Sequence, residues 1–239
     1  MQETFRIILT DEIKEKSTVL EAFPGIGLVG GIAANFMIEK LKMRYVGYME
    51  SKFLPPVAIL KDGLVYPPAK IYSYRDILIL QSDVPIYPQI IHEISKSIVD
   101  WSSENNADKI ISLAGVAMPF SGSRVYGAAN TDGLIKLLES NGVEILNEGA
   151  IGGVSGQILL DAITAKIPAF SLLAETKGMN PDPRASAEIL KVLGKILNFD
   201  IDVTILIEEA ENIEAQMEGL ARQTREIKRK EIKELPMFY

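Results

Sequence analysis

The stretch Val19-Leu20-Glu21-Ala22-Phe23-Pro24-Gly25-Ile26-Gly27-Leu28-Val29-Gly30-Gly31 decides how this chain is built. A short apolar run, 19–23, ends in a proline and closely spaced glycines, and a helical stretch follows to Leu41. Strand, glycine turn and helix in that order open a βα unit. The second half repeats the alternation. Lys109 to Ala114 reads as a buried strand, Val143 to Leu146 as a strand before a helix from Gln157 to Ala165, and Ala169 to Ala174 as a strand before a helix ending at Leu197. Asp182-Pro183 supplies that last helix with a cap and a first-turn proline. Asn130 or Thr131 caps a helix to Ser140, which Asn141-Gly142 stops, and Ser155 is the candidate cap of the helix from Gln157. Pro88 to Trp101 carries Ile91, Ile94, Ile98 and Trp101 at helical spacing.

Between the two halves lies a strand-rich patch. Tyr45 to Met49, Ala69 to Tyr74 and Ile77 to Gln81 read as strands, and Val57 to Leu60 with Leu64 to Tyr66 flank Asp62-Gly63 as a hairpin. Alternating βα units with buried strands predict a largely parallel sheet with helices on both faces, and the hairpins make it mixed.

Bulk properties narrow the function. The chain has 239 residues, a net charge of −7 and no cysteine. Thiolate metal sites, iron–sulfur clusters, disulfides and Cys nucleophiles are excluded. An acidic chain whose only basic cluster, 222–233, is interleaved with glutamates is a poor partner for nucleic acid. The first nine residues lack the apolar core of a signal peptide, and no run approaches the roughly 18 apolar residues of a membrane span. A cytoplasmic protein with no membrane partner is expected.

Several motifs have two readings. Gly25, Gly27 and Gly30 spell G-x-G-x-x-G after a strand and before a helix, with Glu50 about twenty residues on, the pattern of a dinucleotide fingerprint. The same glycines serve close helix–sheet packing. Pro24 and the hairpins that follow Glu50 favour packing. Gly152, Gly153 and Gly156 form a second glycine turn, which either receives an anion or turns the chain sharply. Gly153-Val154-Ser155 does not complete G-x-S-x-G, because position 157 is Gln. His92 is the only histidine and falls with Ser95, Lys96 and Val99, away from the isoleucine stripe. A catalytic triad through it is poorly placed, and a histidine-rich metal site is impossible. Asp200 with Asp202 is too common a pair to specify a metal. Gly25, Gly27, Asn130, Ser155 and Glu175 are the candidates for a crevice at the strand ends. They support an alternative reading as a small-molecule hydrolase or phosphorylase. No cofactor and no metal are expected.

From Glu208 to Glu234 the chain is dense in charge. Its apolar positions are Leu206, Ala210, Ile213, Met217, Leu220 and Ile227, with Thr224 in the gap, and the 4,3 spacing is a heptad seam. Acidic residues fill its first half and basic residues its second, the order that suits the helix dipole. Fully helical, it spans roughly 40 Å. The seam fits a partner helix or a second copy of the chain, or alternatively the protein's own domain. Pro236 then precedes Met237, Phe238 and Tyr239, an apolar end where a polar one is usual. Such a tail either tucks against the domain or enters another protein's pocket. The expected division is a core domain over 1–202, a charged oligomerisation helix over 203–235 and a tail over 236–239.

Four stretches together resemble the archaeal proteasome assembly chaperone family. They are 23–30 (Phe-Pro-Gly-Ile-Gly-Leu-Val-Gly), 125–130 (Val-Tyr-Gly-Ala-Ala-Asn), 152–156 (Gly-Gly-Val-Ser-Gly) and the run from Ile167 through Leu173-Ala174-Glu175-Thr176 to Ala185. The resemblance implies a three-layer α/β/α sandwich like that of the purine-nucleoside phosphorylases and related hydrolases, without their chemistry. It implies a homo-oligomer that binds the α-ring of the proteasome core particle without ATP. It also implies a hydrophobic–tyrosine–any-residue tail. Met237 takes the hydrophobic position, Phe238 the tyrosine position and Tyr239 the last, so the family's hydroxyl is missing at Phe238. On this reading the chain is a binding protein and not an enzyme.

Overall fold

The computed structural model describes residues 5–118, 124–178 and 180–212. Its centre is one nine-stranded sheet, ordered β1-β3-β6-β7-β2-β8-β11-β9-β10. Four central strands run parallel: β7 (Ile77–Ser82), β2 (Thr18–Ala22), β8 (Lys109–Ala117) and β11 (Ala169–Thr176). β7, β2 and β11 are buried throughout and β8 over residues 110–113, as expected of strands covered on both faces. On one flank β6 (Ala69–Tyr74), β3 (Arg44–Ser51) and β1 (Phe5–Leu9) continue the sheet antiparallel. On the other, β9 (Val125–Ala129) pairs antiparallel with β11, and β10 (Glu144–Ile145) parallel with β9.

Helices cover both faces. α1 (Val29–Lys40), α3 (Asp132–Ser140) and α5 (Pro183–Leu197) close one core around Phe170, Leu172, Met37 and Leu190. α2 (Ile91–Glu104) and α4 (Gly153–Ala165) close the other around Ile94, Ile98, Ile158 and Leu80. The result is a three-layer α/β/α fold with a mixed sheet, parallel at its centre. The predicted caps hold at two helices. Thr131 Oγ1 accepts from the Leu134 amide, and Asp182 Oδ1 accepts from the Ala185 amide at 3.0 Å.

The hairpin β4–β5 (Ile59–Lys61, Leu64–Tyr66) stands apart from the main sheet, turning at Asp62-Gly63 as predicted. Edge-on ring contacts from Tyr45 to Tyr66 and Tyr72 hold it against the sheet. His92 is exposed on α2. Its supposed neighbours Ser95 and Val99 are buried, however, because α2 also packs on α4, where Ser95 donates to Asp161 at 2.6 Å.

Helix starts again at 204 and is described to 212. Its first two seam positions, Leu206 and Ala210, are buried, and Leu206 joins Val203 in the α1–α5 core. The packed core therefore runs past residue 202, and the seam begins on the protein's own domain. The seam positions Ile213, Met217, Leu220 and Ile227, and the tail Met237, Phe238 and Tyr239, lie outside the described residues. Among the described residues, no helix is long and apolar enough to cross a membrane.

Candidate functional site

The first glycine turn is a packing device. Gly27 has φ +65°, and a side chain there would meet Thr176 Oγ1 at 2.7 Å. At Gly30 a Cβ would lie 2.2 Å from the Leu113 carbonyl oxygen, so α1 rests directly on β8. The start of α5 locks the same turn. The Asp182 amide donates to the Gly27 carbonyl at 2.9 Å, and the Ser186 hydroxyl to the Val29 carbonyl at 3.1 Å. Glu50, the acid of the dinucleotide pattern, sits far along the sheet on β3 and pairs with Arg6 at 2.9 Å. Two of the four stretches behind the family resemblance thus meet here: the 23–30 turn and the run from Ile167 to Ala185, through its Thr176 and Asp182.

Both glycine turns border one crevice of about 410 Å³ at the C-terminal ends of β2 and β8. Phe23, Pro24, Gly25 and Ile26 form one wall, Ile151 to Ser155 at the start of α4 another, and the end of β8 the floor. This is where ligands enter open α/β sheets. The sequence-predicted site residues separate here. Gly25 and Ser155 line the crevice, whereas Gly27 turns toward Thr176.

Glu175 stands near the end of β11 but faces other partners. The Tyr126 hydroxyl donates to its Oε1 at 2.8 Å, and Arg124 reaches the same oxygen at 3.0 Å. This hydrogen bond raises the Tyr126 phenol above its ordinary pKa. Asn130 does not belong to the crevice at all. Because β9 runs antiparallel to β11, Asn130 lands at the opposite end of the sheet. There its side chain donates to Ile167 O at 2.8 Å and accepts from the Ala169 amide at 2.9 Å.

Ser155 is also not the helix cap. α4 starts earlier, at Gly153, with Gly152 as N-cap and no side-chain cap bond. The Ser155 hydroxyl turns inward and donates to Glu21 Oε2 at 3.1 Å. Glu21, on β2, is 2% exposed and takes a second hydrogen bond, from the Phe23 amide to Oε1, at 3.0 Å. Ser112 stands beside it on β8 and faces the carboxyl, though its hydroxyl completes no hydrogen bond of ordinary geometry. Burial raises the Glu21 pKa above its ordinary 4.5, and the Phe23 amide and the two serine hydroxyls oppose that without cancelling it. Sequence reading passed over Glu21. The signal was a lone acid in a strand whose other residues are apolar or destined for burial.

A stability profile checks this carboxyl. The folded chain holds the Glu21 proton more tightly than the unfolded chain does. The stability this contributes is complete below the unfolded value near 4.5 and is lost as pH rises through the higher folded value. Glu21→Gln removes the titration. The urea midpoint of the native chain should therefore fall relative to that of Glu21→Gln as pH rises from 4.5, and the gap should level off above the folded pKa. Parallel curves for the two proteins would contradict a desolvated Glu21.

Similarity to known proteins spans nearly the whole chain. The Methanocaldococcus jannaschii protein MJ0106 is 40% identical over 224 residues, 94% of this chain and 93% of its own. Pyrococcus furiosus PbaA, an archaeal homolog of proteasome-assembly chaperone, matches with TM-score 0.84 at 39% identity, over 95% of this chain and 96% of that one. Pyrococcus furiosus PbaB, an archaeal proteasome activator, matches with TM-score 0.82 at 26% identity, over 92% of this chain and 100% of that one. The PAC2 family model matches residues 19–221, and the chain belongs to the PAC2 family.

Proposed function

We propose that this chain binds the proteasome core particle as an ATP-independent assembly chaperone or activator-like protein. The observation that carries the reading is the likeness to PbaA, 39% identical across 95% of the chain with TM-score 0.84. The likeness to PbaB, a proteasome activator, points to the same partner class. The proposed contact is the tail Met237, Phe238 and Tyr239, docking on the α-ring. Ile213, Met217, Leu220 and Ile227 would join copies of the chain, so that several tails act together. Each tail alone is a weak ligand, but linked tails raise avidity by ~10²–10⁴-fold through effective concentration. The role needs no catalysis by this chain, and it suits a cytoplasmic protein.

The test is binding of the full-length chain to purified archaeal core particle without nucleotide, with Phe238→Tyr measured beside it. Native chain should co-elute with the core particle. Restoring the hydroxyl should tighten binding several-fold, since a hydrogen bond is worth about 0.5–1.5 kcal/mol. Failure of the native chain and of Phe238→Tyr to bind would overturn the assignment. Equal binding by both would reject the tail register.

A further inference from the structure

We propose that the crevice between the two glycine turns is a binding site for a small neutral molecule bearing an amide edge on an apolar frame. Its size, about 410 Å³, falls in the range of ligand pockets, ≈ 300–1,000 Å³. Its walls are apolar, from Phe23, Ile26, Leu146, Ile151, Val154 and Leu173. They suit an aromatic or branched aliphatic frame.

Polar groups are few and placed together. Glu21 and Ser155 border the crevice side by side, joined by their hydrogen bond. The first turn of α4 starts beside them without a side-chain cap, so its leading amides are available as donors. An amide matches this set in both senses. Its carbonyl accepts from the α4 amides, and its N–H donates to the Glu21 carboxyl or to the Ser155 oxygen.

Charged ligands match less well. Among the described residues, no Lys, Arg or His lines the crevice to neutralise an anion, and Glu21 is its one titratable side chain. What faces Glu21 from the neighbouring elements is Ser112 of β8, Ser155 of α4 and Leu80 of β7, none of them charged. In its protonated form a carboxyl beside a hydroxyl offers both donor and acceptor, and an isosteric glutamine preserves both.

The experiment is ligand-observed NMR titration of the full-length chain in mildly acidic buffer with three probes of one shape: benzamide, benzoate and benzylamine. Benzamide should bind, and each charged probe should bind at least about tenfold more weakly. Glu21→Gln should keep benzamide binding, and Glu21→Leu should weaken it about tenfold or more. Gly25→Phe should abolish it by filling the crevice. Position 25 has extended backbone, and a Cβ there meets nothing within 4 Å beyond its chain neighbours, so the backbone accepts a side chain; an unchanged melting temperature checks that the variant is folded. No benzamide binding to the native chain would overturn the proposal. So would unchanged binding in Gly25→Phe, or a preference for benzoate or benzylammonium. Core-particle binding should be unaltered in Gly25→Phe, which keeps the outcome separate from the proteasome role.

Discussion

Replacing Gly30 with alanine is expected to lower the melting temperature by roughly 4–8 °C, a loss of about 2 kcal/mol in a chain of this size. The Cβ would sit 2.2 Å from the Leu113 carbonyl oxygen, which belongs to the backbone of a central strand and cannot swing aside. α1 must then lift from β8 along the contact that buries Val29, Ala33 and Met37. Overpacking costs about 1–3 kcal/mol, occasionally more, and a clash this close with strand backbone belongs at the upper end, about 3 kcal/mol. The helical gain of replacing glycine with alanine, about 1 kcal/mol, offsets part of it. Gly31→Ala is the matched control. No atom lies within 4 Å of a Cβ at position 31, so only the helical gain remains and the melting temperature should hold or rise. Thermal denaturation of the two variants checks the pair. If Gly30→Ala melts with the native chain, the glycine motif does not exist for packing.

Much of the fold can be read from the chain because its central strands carry local signals. β2, β8 and β11 are apolar runs next to turns, and α5 announces itself with Asp182-Pro183. The two strands that escape sequence reading are set by tertiary pairing. β1 lies at the sheet edge, where only Phe5 is fully buried and Arg6 points to solvent, so it lacks a continuous apolar run. β9 reads Val-Tyr-Gly-Ala-Ala, a weak strand former. Its glycine is there for space, since a Cβ on Gly127 would meet Leu138 Cδ1 at 2.8 Å and Val143 Cγ1 at 3.0 Å.

Missing β9 also misplaces Asn130. A parallel strand would have brought it to the crevice, but the antiparallel one carries it to the far end. Ser155 was found for the wrong reason. Serine is a common cap type, but α4 begins at Gly153, four residues before Gln157, and leaves the hydroxyl to Glu21. The Glu21–Ser155 pair spans 134 positions in sequence, and no spacing rule connects residues so far apart.

Loss of the tail is expected to abolish most of the proposed binding to the proteasome. In the proposed mechanism, each copy of the chain presents Met237, Phe238 and Tyr239, and binding strength comes from several tails engaging at once. Deleting those three residues removes every such contact while leaving the α/β/α domain and the seam positions intact. Affinity should then fall by ~10²-fold or more, the scale on which linked weak sites gain over single ones. Melting temperature and oligomer size should not change, which separates loss of the contact from loss of the fold. The most direct measurement is the equilibrium affinity of the full-length chain and of the chain ending at Pro236 for the same immobilised archaeal core particle. The first should bind clearly, and the second at least about 10²-fold more weakly. Equal affinity would place the contact elsewhere on the molecule and contradict it.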